Sequence, residues 1–218
     1  MIVVSDMMGT LTTGSPVIGL VDWIRHNQSK TQAQLYMLRI APAYFVAKRG
    51  LIDWQKWGQD LMVKSLKMVR NATPEKMKLV GEWAVEHDLW KKRRQDVIAR
   101  LTNHKSQGAQ VYIASSVVEP LIEPFAQRIG AQTIGTPVTY KNGRVQLAGE
   151  LTASEKKIEQ VLSRLGIDRL DFAYGDTIMD VPLLDHADHP VAVYPDASLK
   201  AYALKRGWEI LGDTPSHG

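Results

Sequence analysis

Short apolar runs that stop at a polar residue recur along this chain, and they restrict its fold more than any other feature. These runs occupy residues 2–4, 110–114, 170–174 and 190–194. Runs of this length, rich in β-branched or aromatic residues and bounded by Gly, Ser or Asp, predict buried strands. Helical periodicity separates them, at residues 89–104, 119–129, 154–165 and 198–206. Strands that alternate with helices predict an α/β fold with a mostly parallel sheet covered on both faces.

The stretch between the first two predicted strands has helical periodicity and no strand pattern. Its first helix is predicted to begin at Pro16, because Ser15-Pro16 places a capping residue before a proline at the first helical position. Further helices are predicted at residues 32–48, 53–69 and 74–86. An all-helical insert in an α/β chain of 218 residues predicts a helical cap domain at residues 15–87. The core domain then comprises residues 1–14 and 88–218.

A β-hairpin is predicted late in the chain. Asn142-Gly143 is a two-residue turn signal between two short alternating segments, residues 138–140 and 144–147. We expect it to form a small flap at the edge of the sheet.

Composition excludes several classes of function. The 27 Lys and Arg against 23 Asp and Glu give a net charge of +4, which admits an anionic ligand. The basic residues are scattered, and the run at residues 91–94 falls on a predicted helix, where such a run is typical of a solvated face. The absence of cysteine excludes thiol catalysis and Cys-ligated zinc. Neither a spanning segment nor a signal peptide is apparent. We expect a cytoplasmic protein with no nucleic-acid or membrane partner.

Polar residues stand at the predicted strand ends, where open parallel sheets bind their ligands. Asp6 ends the first strand, Ser115 and Ser116 end the second, and Asp176 follows the third, with Asp180 four residues later. Two carboxylates on one turn are suited to hold a hard divalent cation. Lys157, at the start of the preceding helix, adds a positive charge. A carboxylate nucleophile, an acid pair, a hydroxyl and a lysine together indicate phosphoryl transfer.

Each of these pieces also has an ordinary structural explanation. A lone aspartate at a strand end is commonly a turn or cap residue, and a serine pair before a helix is commonly an N-cap. Lys157 and its neighbour Lys156 are by default solvated helix lysines. The functional interpretation depends on the whole set, in this order along the chain.

Four segments resemble, in order, the four motifs of the haloacid dehalogenase superfamily. Residues 6–11, Asp-Met-Met-Gly-Thr-Leu, are similar to its first motif, Asp-x-Asp-Gly-Thr-Leu/Val. The second, third and fourth motifs are matched by residues 113–115, 157–162 and 174–180. The helical insert and the closing segment resemble the phosphoserine-phosphatase-like branch. The resemblance implies a Rossmann-like core, an inserted α-helical cap domain and a hydrolase that takes a small phosphomonoester.

The resemblance also implies a role for each matched residue. Asp6 would attack phosphorus and form an aspartyl-phosphate. Lys157 would neutralise negative charge on Asp6 and on the phosphoryl group. Ser115 and the backbone N–H of Ser116, at a helix N-terminus, would bind phosphoryl oxygens. The metal site would hold Mg²⁺ through Asp6, the Met8 carbonyl and Asp176, with Asp180 steadying it. Lys156 is the alternative to Lys157 if the alignment slips by one residue.

One departure from the family pattern concerns turnover. Met8 stands where phosphatases of the family have a second aspartate, the general acid and base. A thioether has no exchangeable proton, so turnover is expected to be impaired. Three interpretations stay open: a slow phosphohydrolase, a catalytically silent phospho-ligand-binding or interaction protein, and a dehalogenase-like hydrolase. A further question is whether Met8 is natural or an introduced substitution.

Overall fold

The computed structural model describes residues 1–48 and 54–212. Its main feature is a six-stranded sheet with the order β3-β2-β1-β6-β7-β8, in which every neighbouring pair is parallel. The strands are β1 Ile2–Ser5, β2 Gln110–Val118, β3 Gln132–Thr136, β6 Leu170–Gly175, β7 Ala187–Val193 and β8 Glu209–Leu211. The predicted parallel α/β fold is therefore confirmed. Strands β3 and β8, at the two edges, were missed by the sequence reasoning.

Helices cover both faces of the sheet. They are α1 Pro16–Asn27, α2 Lys30–Lys48, α3 Trp54–Leu66, α4 Pro74–Ala84, α5 Gln95–Ser106, α6 Glu119–Ile129, α7 Glu155–Leu165, α8 Val181–Asp185 and α9 Ala197–Arg206. The predicted start of the third helix at Asp53 lies outside the described residues. Among the described helices, none is both long enough and apolar enough to span a bilayer.

Alternate residues of each central strand enter different hydrophobic clusters, as the two-residue period of a strand requires. In β1, Val3 packs in a cluster with helices α1, α4, α5 and α6, whereas Val4 packs in a cluster with helices α7, α8 and α9. Both valines are fully buried. The first cluster also contains Leu20 and Met77, so the helices of the predicted insert share one apolar core with the sheet.

Strand β2 is longer than predicted. It continues to Val118 instead of ending at Ser115-Ser116, with a register shift against β3 between Ala114 and Val118. Helix α6 begins only at Glu119, so the expectation that Ser116 lies at a helix N-terminus was wrong. The irregular pairing keeps the chain extended through the two serines, which the strand pattern alone does not reveal.

The start of α5 also differs from the prediction. A π-helical segment, Val85–Leu89, continues α4, and α5 begins at Gln95 instead of at Leu89. The intervening basic run therefore does not lie on a helix. The physical reason is a competing set of hydrogen bonds: the Arg94 amide donates to the Leu11 carbonyl (2.8 Å) and the Thr13 amide donates to the Lys92 carbonyl (3.1 Å). These bonds hold residues 11–13 and 92–94, which flank the two predicted ends of the helical insert, side by side.

The predicted hairpin forms directly after the edge strand β3. Strands β4 Val138–Lys141 and β5 Arg144–Leu147 make a separate antiparallel pair, and both turn residues, Asn142 and Gly143, have positive φ. The Gly143 carbonyl accepts a hydrogen bond from the Ala72 amide (2.7 Å), and Val145 is buried in the first cluster. The hairpin is therefore not hydrogen-bonded to the main sheet, and its turn contacts the helical insert.

Candidate active site

Two aspartates meet at the carboxyl edge of the sheet because their strands are parallel neighbours. Asp6 follows the last residue of β1 and Asp176 follows the last residue of β6. The pairing of Ser5 with Tyr174 brings the two strand ends into register, and the Asp6 amide donates to the Tyr174 carbonyl at 2.8 Å. Adjacent parallel strands are less than about 5 Å apart, so the two side chains extend over the same edge.

Asp180 reaches the same place from a short 3₁₀ turn, Ile178–Asp180. Its Oδ2 atom accepts hydrogen bonds from the amides of Asp176 and Thr177, both at 3.2 Å. Gly175 makes this approach possible, because a Cβ atom on it would lie 2.5 Å from the Asp180 Cβ. The spacing of four residues between the two aspartates therefore folds Asp180 back onto the turn.

Lys157 is the cation of the site. It extends from the first turn of α7 and is buried, with its Nζ atom 2.7 Å from Asp6 Oδ1 and 2.7 Å from Asp180 Oδ1. Lys156 is exposed and pairs instead with Glu159. The structure therefore brings Lys157 to the carboxylates and leaves Lys156 at the surface, as the preferred alignment of the third motif predicts.

The pKa values of Asp6, Asp176 and Lys157 are all shifted at this site. Burial raises the pKa of Asp6 to about 6, although Lys157 acts in the opposite direction. Burial also raises the pKa of Asp176 to about 8, and the nearby Asp6 and Asp180 carboxylates add to that rise. For Lys157, burial alone would lower the pKa, but Asp180 and Asp6 outweigh it and the pKa is raised. The lysine is thus held charged, whereas the carboxylates repel one another.

Thr10 and Gly9 contact the acidic cluster, and the sequence-based prediction assigned no role to either residue. The Thr10 hydroxyl lies 2.9 Å from Asp176 Oδ1 and 3.4 Å from Asp6 Oδ2, so it donates to the nearer carboxylate. Gly9 has φ +87°, and a Cβ atom there would lie 1.9 Å from Asp176 Oδ2. Their position within the first motif was the available signal, because residues three and four places after the strand-end Asp6 stay near the same edge of the sheet.

The donor set fits a hard divalent cation. Asp6, Asp176 and Asp180 each offer an oxygen, and these oxygens all lie within 4.8 Å of one another. Three carboxylates beside one ammonium group leave an excess of two negative charges when all are ionised. Carboxylate oxygens at this spacing are ligands that Mg²⁺ accepts, and a dication would offset the repulsion that raises the pKa of Asp176.

Met8 brings no acid to this cluster. Its side chain is partly buried and packs against the first hydrophobic cluster. The position that the family uses for proton transfer therefore carries an apolar side chain in this chain.

The two serines lie on the other side of β1. Ser5 pairs with Ile113, and Ser115 follows two residues later in β2, so it lies at the same edge of the sheet as Asp6. Ser115 is buried, and its Oγ accepts a hydrogen bond from the Val117 amide at 3.3 Å. Ser116 is half-buried, and its carbonyl accepts from the Thr136 hydroxyl at 2.7 Å.

Comparison with known proteins identifies the family to which this chain is similar. The family model for haloacid dehalogenase-like hydrolases matches residues 3–185, which contain all four motifs. Phosphoserine phosphatase SerB1 of Mycobacterium tuberculosis is 32% identical over 114 residues, covering 49% of this chain and 37% of that protein. The chain spans about half the length, or less, of such curated relatives.

Solved structures agree on the fold. A protein with unknown function from Bordetella pertussis Tohama I superimposes with a TM-score of 0.77 at 19% identity, covering 97% of both chains. A substrate-bound phosphoserine phosphatase superimposes with a TM-score of 0.57 at 14% identity, covering 96% of this chain and 91% of that one. With a family match across most of the chain and a phosphoserine-phosphatase-like fold, the protein belongs to the haloacid dehalogenase-like hydrolases.

Proposed function

We propose that this chain is a Mg²⁺-dependent phosphohydrolase in which Asp6 attacks a small phosphomonoester. The observation that carries the proposal is the buried Asp6 carboxylate, held by Lys157 at 2.7 Å and grouped with Asp176 and Asp180. Buried carboxylates that repel one another are unfavourable for folding, and such arrangements are characteristic of functional sites. Family membership and the phosphatase relatives support the same reaction class.

In the proposed first step, an Asp6 oxygen forms a bond to phosphorus while the bond from phosphorus to the ester oxygen breaks. The product is an aspartyl-phosphate and an alkoxide that needs a proton. Lys157 fixes one oxygen of Asp6 and offsets negative charge as it accumulates. In the second step, water attacks phosphorus and the bond between phosphorus and the Asp6 oxygen breaks, so that inorganic phosphate leaves and the Asp6 carboxylate is restored. The proton lost by the attacking water passes to solvent, and solvent supplies the proton that the alkoxide takes up.

Asp6, Asp176 and the Met8 backbone carbonyl would hold the Mg²⁺ ion, with Asp180 positioning Asp176 through its hydrogen bond to the Asp176 amide (3.2 Å). When bound, the ion supplies Lewis-acid polarisation of a phosphoryl oxygen and neutralises charge. Thr10 orients the Asp176 carboxylate by donating to its Oδ1 atom.

Ser115 and Ser116 would bind the phosphoryl oxygens. Because the Ser115 Oγ already accepts the Val117 N–H, its own hydrogen can be donated to the substrate. The Ser116 N–H would be the second donor, offered from an extended strand and not from a helix N-terminus. The helical insert, residues 15–87 in our proposed division, would cover the opposite side of the substrate and determine which phosphomonoester fits.

Met8 limits the proposed reaction at both proton transfers. A thioether cannot protonate the leaving alkoxide and cannot activate the hydrolytic water. Loss of a general acid or base lowers rates by roughly 10²–10⁴-fold, so turnover should be slow and the aspartyl-phosphate should accumulate with activated esters. The same observation favours a second candidate function, a catalytically silent protein that binds a phosphorylated ligand at this site.

A phosphatase screen with Mg²⁺ tests the two candidates. The variants are Met8→Asp, with Met8→Leu as the matched apolar control and Asp6→Asn as the inactive one. We expect Met8→Asp to raise hydrolysis by about 10²-fold or more, and Met8→Leu to leave it unchanged. If both the natural chain and Met8→Asp stay inactive but bind phosphate esters, the binding function is supported. Brisk turnover that Met8→Asp does not change would contradict the proposed proton-transfer role of this position.

A further inference from the structure

Helix α2 has apolar side chains on two opposite faces. Its inner face contains Ala33, which is buried, and Tyr36, whose hydroxyl donates to the Leu61 carbonyl of α3 at 3.1 Å. Leu38 follows Tyr36 by two residues, which is about 200° around a helix, and so it lies on the outer face. Leu38 is 70% exposed and Leu35 is 52% exposed.

The outer apolar residues follow helical spacing. Positions 31, 35, 38 and 42 lie in one stripe; Leu35, Leu38 and Pro42 are its apolar residues, Thr31 is polar, and all four are exposed. We call these four residues the α2 stripe. A helix that is apolar on both faces is normally buried on both. Single exposed leucines are common on protein surfaces, but two leucines at positions i and i+3 of one helix face form a patch. Exposure of this stripe to water is therefore unfavourable.

The sequence that contains the stripe is basic. Residues 23–52 contain no Asp or Glu and five Lys or Arg residues, Arg25, Lys30, Arg39, Lys48 and Arg49. On the described part of α2, Lys30 and Arg39 are both exposed and lie on the two sides of the stripe. Long basic side chains beside an apolar stripe can reach outward to anionic groups while the apolar side chains insert between them.

Asp53 lies outside the described residues, and the described acidic groups nearest in sequence lie on the adjoining helices. Asp22 on α1 accepts a hydrogen bond from the Trp83 indole at 3.0 Å and lies 3.4 Å from His26, so much of its charge is directed inward. Asp60 is exposed on α3, the helix that packs against the inner face of α2 at Tyr36. Neither residue belongs to the outer face of α2.

We propose that the α2 stripe docks this protein on the surface of an anionic phospholipid bilayer. The apolar side chains would enter the boundary between headgroups and acyl chains, while Lys30 and Arg39 contact lipid phosphates. A second copy of the chain is a less suitable occupant, because it would bring two cationic helices together. The expectation of no membrane partner depended on the lack of a spanning segment, and surface docking requires none. The inference does not depend on the proposed phosphatase activity.

Co-sedimentation with vesicles tests the proposal on the full chain. The vesicles contain either phosphatidylcholine alone or an equal mixture of phosphatidylcholine and phosphatidylglycerol. We expect binding to the anionic vesicles at low salt, weakened at high salt because the basic contacts are screened. Replacing both basic residues, Lys30→Gln with Arg39→Gln, should lower the partition coefficient by roughly fivefold for each residue.

The apolar contribution is tested by a matched pair of double variants. Leu35→Gln with Leu38→Gln should lower partitioning by about tenfold or more, because both leucines are proposed to insert. The control is Leu79→Gln with Leu204→Gln, two leucines of similar exposure (57% and 66%) on α4 and α9, and it should bind like the natural chain. Thermal scans verify that all variants fold. We expect them to fold, because all the substituted residues are exposed.

Three results would overturn the proposal. The first is an absence of binding to anionic vesicles at low salt. The second is equal loss of binding in the stripe variant and its control. The third is a dimer of the natural chain, seen by sedimentation velocity, that the stripe variant converts to monomer, since the occupant would then be a second copy.

Discussion

Replacing Lys157 by methionine should destabilise the fold severely, because it removes a cation from between two buried anions. The Lys157 side chain is 6% exposed, and those of its partners Asp6 and Asp180 are 8% and 4% exposed. Methionine keeps an unbranched apolar side chain in place but offers no charge and no donor. The carboxylates of Asp6 and Asp180 would then lie close to each other and to Asp176 without a counter-charge.

The magnitude follows from the burial. Removing one partner of a buried ion pair costs about 3–5 kcal/mol in unfolding free energy, because the remaining charge is left uncompensated. For a chain of 218 residues, each kcal/mol lowers the melting temperature by about 2–4 °C. We therefore expect a decrease of about 6–20 °C for Lys157→Met.

The neighbouring lysine provides the control. Lys156 occupies the same helix turn but is exposed, with its Nζ atom 2.9 Å from the exposed Glu159 carboxylate. Exposed pairs contribute about 0–1 kcal/mol, so Lys156→Met should be close to neutral. The measurement is urea unfolding followed by circular dichroism at pH 7.5 in a chelator, with both variants beside the natural chain. A difference between the two variants of less than about 1 kcal/mol would refute the reasoning, because it would mean that the three charges are not effectively buried.

Two further predictions concern other buried titratable groups. Without metal, Asp176→Asn should raise the melting temperature, because it removes a carboxyl group whose ionisation is disfavoured by burial and by the nearby Asp6 and Asp180 carboxylates. It should also abolish any Mg²⁺-dependent rise, and a Mg²⁺ shift that survives in the variant would exclude Asp176 as a ligand. His104 is buried, its Nε2 lies 2.7 Å from the Tyr174 hydroxyl, and burial lowers its pKa. Since the unfolded chain then binds a proton below about pH 6.5 that the native state excludes, His104 lowers stability as the pH decreases from 7 to 5, whereas Asp6 and Asp176, whose pKa values are raised, act in the opposite direction. His104→Gln should remove the histidine's contribution, so the urea midpoint of the variant relative to that of the unsubstituted chain should rise as the pH decreases from 7 to 5. A difference in midpoint that does not change with pH would contradict the assignment.

The position of the acidic cluster could be predicted from sequence because the physics of parallel sheets is simple. A β-branched run identifies β1, and a run with two aromatic residues that ends at Gly175 identifies β6. Parallel strands present their carboxyl ends at one edge, so Asp6 and Asp176 had to be near each other. The choice of Lys157 over Lys156 could not be made from the helix pattern, since only the fold determines which of two adjacent helix lysines points inward. The confirmed family resemblance supported the choice that the structure shows.

The remaining differences arise where tertiary contacts override local patterns. Strand β8 has three residues and β3 contains Gly135, so neither gives a strong strand signal. The extension of β2 through Ser115 depends on pairing with β3, and the late start of α5 depends on the Arg94 amide bonding to Leu11. No window of local sequence contains these partners.

The contact between α4 and α6 has a consequence for recombination between relatives. A Cβ atom on Gly81 would lie 2.1 Å from the Pro120 carbonyl oxygen, and one on Gly19 would lie 2.5 Å from the Ala84 Cβ. The helices therefore approach at a separation that only glycine permits at these two points. A chimera that takes its entire insert from another protein replaces Gly19 and Ala84 together, but it must supply glycine at position 81 or push α4 away from α6. An exchange limited to α2 and α3 leaves both contacts intact, so that helical pair is the part of the insert that can be replaced without disturbing them.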